Sequence, residues 1–253
     1  GLEENVALNF KTEFSELSNA MPFDKLQDFV YSLQQPRKIM LMVNAGETVD
    51  IVIEQLVHYL SENDTILDGG NSHYIETKKR VNFLKKKNIH FIGAGISGGE
   101  EGALKGPSIM PGGNETGSKT VQPYLEAIAA KDDKGHPCRN YIGKNGSGHF
   151  IKIIHNGIEY VEMQLLAEVY QILRTLDNNP EQIANILSSW KSEVDSYLLE
   201  ITIDILKKKE GEKWLIGEIL DKAGNKGTGN WATITTTELG IPSTMIGSAL
   251  FAR

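Results

Sequence analysis

The stretch KIMLMVNAG at Lys38–Gly46 decides the fold, because the chain then repeats its logic twice. An apolar run of strand length ends in a small polar turn. Glu47–Leu60 follows, with Val49, Val52, Ile53, Leu56, Val57 and Leu60 at helical spacing on one face. Thr65–Leu67 leads into DGGNS at Asp68–Ser72, His73–Lys87 is a charged helix candidate, and His90–Ile92 reads as a third strand. This alternation predicts a parallel sheet with right-handed crossovers. Such sheets bind ligands beyond the carboxyl ends of their strands. Asn44 to Gly46, Gly69 to Ser72 and the loop after Ile92 are therefore expected on one rim.

From about Gly146 onward helical patterns dominate. Gly148–Leu176 predicts one long helix, stopped near Pro180, and Pro180–Trp190, Asp195–Lys208 and Gly217–Ala223 predict shorter ones. The boundary is expected near Lys144–Ser147, giving one domain over 1–146 and a helical one over 147–253. Both ends predict a truncated chain. Residues 1–37 hold no G-x-G-x-x-G turn after a strand, Asn5–Phe10 resembles the opening of a helix without its strand, and Arg253 falls within an apolar helix-like stretch.

The 253 residues carry a net charge of −7, which argues against general nucleic-acid binding. A single cysteine, Cys138, excludes an internal disulfide framework and a multi-cysteine zinc site. No apolar run approaches the roughly 18 residues of a membrane span, and no signal-peptide pattern is present. A reducing, cytoplasmic location is expected.

The richest chemistry lies in HFIKIIHNGIEYVEMQLL, His149–Leu166. Lys152, His155, Asn156, Glu159 and Tyr160 stand at i, i+3, i+4, i+7 and i+8, one stripe of a helix that is otherwise largely apolar. Burying Lys and Glu unpaired costs several kcal/mol. The stripe therefore faces either a polar cavity, as a base, an acid and an amide aimed at one substrate, or water, with a Lys152–Glu159 or His155–Glu159 pair. Gly157 inside this helix costs about 1 kcal/mol against Ala and implies close approach of a ligand or another backbone.

Two glycine-rich segments accompany it. In Gly93–Gly113, Ser97-Gly98-Gly99 has the makings of a nest of N–H groups for a carboxylate, and equally of a tight turn. Glu100 and Glu101 suit a helix N-terminus. In KGTGNW, Lys226–Trp231, two glycines permit close approach to an anion beside Lys226, though the segment by itself reads as a surface turn. His58 and His90 read as structural, the tryptophans as core or interface, and no histidine pair has metal-ligand spacing.

DGGNSHY at 68–74, GISGGEEGALKGPSIMPGG at 95–113, HFIKIIHNGIEYVEMQL at 149–165, KGTGNW at 226–231 and IGSALFAR at 246–253 together resemble the 6-phosphogluconate dehydrogenases, from about Pro36 to Arg253. The resemblance implies a fold of class α/β plus all-α, an incomplete Rossmann-like parallel sheet domain followed by a large helical domain. It implies a cytoplasmic, metal-free homodimer that oxidatively decarboxylates 6-phosphogluconate to ribulose 5-phosphate with NADP, in the pentose phosphate pathway. By motif match Lys152 resembles the general base and acid, and Glu159 the acid that protonates C1. The first role requires a lysine partly neutral near pH 7, the second a carboxyl with a raised pKa. Asn71, Ser97, Gly98, Gly99, His155 and Asn156 resemble contacts to the substrate's carboxylate and hydroxyls. Tyr160, Lys226 and Arg253 resemble contacts to its phosphate. Val43, Asn44, Ala45 and Asn71 resemble cofactor contacts, with Asn44 where many members carry Lys. The family's pyrophosphate turn, its reader of the 2′-phosphate and its C-terminal tail have no counterpart in these residues. Two other readings stay open: a related β-hydroxyacid dehydrogenase with an unphosphorylated substrate, and an inactive remnant that binds sugar phosphate or only dimerises.

Overall fold

A computed structural model describes residues 6–224 and 227–253. The chain forms two compact units, one through Lys152 and one over Ile153–Arg253. In the first, β1 (Lys38–Leu41), α3 (Glu47–Val57), β2 (Thr65–Asp68), α4 (Tyr74–Lys85) and β3 (His90–Ser97) alternate, preceded by α1 (Val6–Glu13) and α2 (Leu26–Ser32). β1, β2 and β3 pair in parallel and in that order. Every residue of β2 is buried, as a central parallel strand covered on both faces requires. Its successive side chains divide between two cores. Ile66 joins Val30, Ile39, Val49, Leu56, Leu84 and Phe91 on one face of the sheet. Leu67 joins Ile92, Ala94, Ile109, Val121 and Leu125 on the other.

The glycine-rich segment after Ile92 is structured rather than looped. β3 runs on to Ser97, and α5 (Gly99–Lys105) turns the chain back. β4 (Ser108–Gly113) then returns antiparallel, with Ile92 opposite Gly113 and Ser97 opposite Ser108. The turn at Ser97 therefore does not sit level with the other two. Asp68 ends its strand opposite Gly93, and Ser97 lies four residues further, about 13 Å at strand rise. α6 (Glu115–Ile128), N-capped by the side chain of Asn114, covers β4's sheet face with Val121 and Leu125.

In the second unit the long helix α7 (Ser147–Thr175), which begins in the first, supplies Leu166, Val169, Tyr170 and Leu173. These pack on Ile183 and Leu187 of α8 (Pro180–Trp190) and on Leu199, Ile203 and Leu206 of α9 (Tyr197–Lys207). Asn179 and Gln182 form a reciprocal capping box with Pro180 at the first turn, and Ser196 caps α9. A short hairpin of β5 (Lys209–Glu210) and β6 (Lys213–Trp214) follows. The helix expected over Gly217–Ala223 is absent; only a 3-10 turn, Leu215–Gly217, forms. Ile219 and Leu220 are exposed, so a helix there would bury no face to offset its nucleation. α10 (Thr228–Glu238) and α11 (Thr244–Ala252) pack on each other. KGTGNW is thus not a free surface turn: Thr228 and Gly229 are buried in the first turn of α10. Among the described residues no helix is long and apolar enough to cross a membrane.

His149, in the first turn of α7, is 1% exposed, and its Nδ1 lies 2.7 Å from Thr77 Oγ1. Burial holds its pKa below the ordinary value, with Arg80 pushing the same way and the charge and backbone of Asp68 opposing. Burial lowers His90 likewise. The native state therefore keeps both rings neutral where the unfolded chain takes up protons, near pH 6.5. Stability rises with pH wherever the unfolded state binds more protons. The thermal midpoint should accordingly drop between about pH 7.5 and about pH 5.5, and His149→Gln should flatten that slope. An unchanged slope in the variant would exclude His149 as its source.

Candidate active site

Two loops leave the carboxyl ends of β1 and β2. Val43, Asn44 and Ala45 lie on the first, with Asn44 and Ala45 exposed; Asn71 is exposed on the second. The loops touch: a Cβ built on Gly70 would lie 3.1 Å from the Val43 carbonyl oxygen, and Gly69 N–H donates to Leu41 O at 3.0 Å. Asp68, fully buried, shapes the second loop by accepting from Gly70 N–H at 3.0 Å and from Ser72 Oγ at 2.6 Å.

Ser97, Gly98 and Gly99 form the sharp turn from β3 into α5. Gly98 has φ 136° and Gly99 φ 58°, and a Cβ on Gly98 would come within 2.8 Å of Gly102 Cα. Only glycine suits that corner. Gly98 and Gly99 are exposed, and Glu100 and Glu101 occupy the first turn of α5.

Lys152 is brought against this segment by an unusually close helix–strand approach. A Cβ on Gly95 of β3 would lie 2.5 Å from Lys152 Cβ and 2.9 Å from Gly148 O. One on Gly93 would lie 2.5 Å from Thr77 Cγ2 and 2.8 Å from His149 Nδ1. On the helix side, a Cβ on Gly148 would collide with the carbonyls of Gly93 and Met110. Missing side chains thus let the first turns of α7 lie directly on the β3–β4 backbone, and Lys152 is left 8% exposed.

The later stripe residues have partners within the second unit. His155 Nε2 lies 3.1 Å from Glu159 Oε1, both side chains about one-third exposed. Asn156 Nδ2 donates to Thr228 Oγ1 at 3.0 Å, whereas its buried Oδ1 has no hydrogen-bond partner. Tyr160 is buried, its ring against Gly229 on one side and 4.0 Å from the Arg253 guanidinium carbon. Arg253 Nε and Nη2 also donate to Gly224 O at 3.2 and 3.1 Å. Thr228 and Arg253 thus join Asn156 and Tyr160, although Thr228 was not legible as a partner. Lys226 lies outside the described residues. Gly157 is explained by packing: a Cβ there would meet Ala232 Cβ of α10 at 3.0 Å and Ile246 Cγ2 of α11 at 3.2 Å. Among the described residues no three metal-ligating side chains cluster.

A parallel sheet with exposed polar loops at its strand ends, followed by a helical part whose first helix carries a buried lysine, defines the class: a dinucleotide-binding type of α/β domain joined to an all-α domain. Two family models match. The NAD binding domain of 6-phosphogluconate dehydrogenase covers residues 5–143, and the 6-phosphogluconate dehydrogenase C-terminal domain covers 148–253. The chain belongs to the 6-phosphogluconate dehydrogenase family. It is 50% identical over 231 residues to the decarboxylating 6-phosphogluconate dehydrogenase of Drosophila melanogaster, covering 91% of this chain and 48% of that protein. It is 50% identical over 232 residues to the NADP(+)-dependent, decarboxylating 6-phosphogluconate dehydrogenase of Bacillus subtilis, covering 90% and 49%. The structure of Plasmodium falciparum 6-phosphogluconate dehydrogenase, solved in apo form and with NADP+ or 6-phosphogluconate, superposes with a TM-score of 0.91 at 36% identity, covering 97% of this chain and 54% of that one. The chain spans about half the length of the curated relatives it matches.

If the missing side chain at Gly95 is what seats Lys152, Gly95→Ala must push α7 off β3. Such overpacking costs about 1–3 kcal/mol, read as a lower denaturant midpoint. An unchanged midpoint would show that the contact has slack.

Proposed function

We propose that this chain forms the catalytic part of an enzyme that oxidatively decarboxylates 6-phosphogluconate to ribulose 5-phosphate. The carrying observation is Lys152, buried against Gly95 at the head of a stripe that reaches Glu159 two helical turns on. NADP, when bound, would supply the hydride acceptor for the oxidation at C3. Val43, Asn44, Ala45 and Asn71, on two touching and exposed loops, are suited to its nicotinamide side. Lys152 takes the C3 hydroxyl proton as C3 is oxidised. The product is a β-keto acid, and protonated Lys152 then donates a hydrogen bond to the new carbonyl, so that the electrons of the breaking C1–C2 bond have a sink. C1 leaves as carbon dioxide, and Glu159 delivers a proton to the former C2, which becomes C1 of ribulose 5-phosphate.

Ser97, Gly98, Gly99 and Asn71 are assigned to the substrate's carboxylate and hydroxyls, together with His155 and Asn156. The partnerless Oδ1 of Asn156 is an acceptor suited to a substrate hydroxyl. Tyr160, Lys226 and Arg253 are assigned to the phosphate, for which a guanidinium held on an aromatic face is well suited. Residues 1–146 serve as the cofactor domain and 147–253 as the substrate and dimerisation domain. The homodimer reading has support in α7, where Ile151, Ile158, Leu165 and Ile172 recur every seven residues and are exposed. A cytoplasmic location accompanies this reading.

The test is NADPH formation from 6-phosphogluconate by the polypeptide that carries these residues at the full length of its relatives. Lys152→Ala should lower kcat by about 10²- to 10⁴-fold, the general-base contribution. Arg253→Ala should instead raise the KM for 6-phosphogluconate and spare that for NADP. Normal turnover by the lysine variant refutes its role, and sugar-phosphate binding without turnover in the parent would favour an inactive remnant.

A further inference from the structure

Arg80 of α4 is charged, yet its side chain is only 3% exposed. Its fork is fully engaged. Nε lies 2.7 Å from Asp50 Oδ1, and Nη2 lies 2.9 Å from both Asp50 Oδ2 and the Gly46 carbonyl. Nη1 lies 3.3 Å from Ser72 Oγ and 3.6 Å from Asp68 Oδ2. Gly46, at φ 95°, closes the loop that carries Val43, Asn44 and Ala45. Ser72 and Asp68 bracket Asn71.

We propose that Arg80 is a positioning residue that couples the loop at 43–46 to the loop at 68–72, so that each is ordered only when the other is. The proposal rests on the functional reading above only in taking these loops as the cofactor's. Three features carry it. One planar group bridges a backbone carbonyl of the first loop and the hydroxyl and carboxylate that shape the second. Asp68 has already committed oxygens to Gly70 N–H and Ser72 Oγ, so a displacement of Arg80 is felt at Gly70, the residue that approaches Val43 O. Finally, only a guanidinium spans these partners; an ammonium is a point charge and would have to choose between them.

The experiment uses Asp50→Asn and Arg80→Lys. Asp50 is 46% exposed and belongs to α3, so its substitution weakens the first arm and reaches the second loop through Arg80. Hydrogen exchange of the ligand-free chain should accelerate at least about threefold in segments 43–49 and 68–74 alike. Acceleration confined to 43–49 overturns the coupling. In the NADPH assay Arg80→Lys should raise the KM for NADP about tenfold, with kcat changing much less. A lower thermal midpoint with unchanged KM would mark Arg80 as merely structural, and overturns the proposal as well. Absence of NADP-dependent turnover in the unmodified protein sinks the functional reading instead, and the exchange comparison then decides the coupling by itself.

Discussion

The seat of Lys152 depends on how close the first turns of α7 come to the sheet. A helix normally packs on a sheet through two layers of side chains. Here Gly93, Gly95 and Gly112 on the strands face Gly148 on the helix, and the backbones themselves are in contact. The glycines lose backbone entropy on folding that alanines would not, a cost of about 0.5–1 kcal/mol each. What they allow is a lysine whose stem lies on β3 and whose position is set by main chain rather than by mobile side chains. A side chain held this way needs little reorganisation on meeting a ligand.

The same closeness explains the polar layer beneath. His149, Thr77, Asp68, Ser72 and Arg80 are all buried, and each has a named polar partner in this layer. Buried ion pairs add little net stability, because desolvation offsets attraction. Their value here is geometric. Asp64 does at the start of the strands what Asp68 does at their ends: it accepts from Arg37 N–H and Nη1 at 2.6 and 3.0 Å, tying β1 to β2. Arg80 itself draws the Asp50 carboxyl below its ordinary pKa. That contribution is present above about pH 3.8 and is lost as pH falls through the lowered value.

The legible parts of the fold were those with a period. β1, β2, α3, α4, α7, α8 and α9 each carry an apolar spacing or a cap that states the element locally. Gly93–Gly113 carries neither, and its glycines read as turns. For Gly93, Gly95 and Gly112 the actual reason is the neighbour, α7, which lies far along the chain, whereas Gly98 and Gly99 do make a turn. α6 escaped notice because Pro123 and its polar residues blur its face, although Asn114 was a usable cap. α10 is rich in threonine, a poor helix former, and is held by packing against α11 and Tyr160 instead. In the site, the stripe from Lys152 to Tyr160 was visible as spacing. Arg80 and Asp50 were not, since a charged residue on a charged helix looks solvated until its partners are placed.

The stripe on α7 also has two different anchors. Lys152 and Glu159 are separated by about 10.5 Å of helix rise, on nearly the same face. Glu159 is held by His155 one turn before it, 3.1 Å away, which narrows the torsions open to its carboxylate. Lys152 is thus set by its contact with the sheet and Glu159 by its contact with its own helix. The two anchors are separate: a substitution at Gly95 bears on Lys152, whereas the His155–Glu159 pair is made within α7 itself.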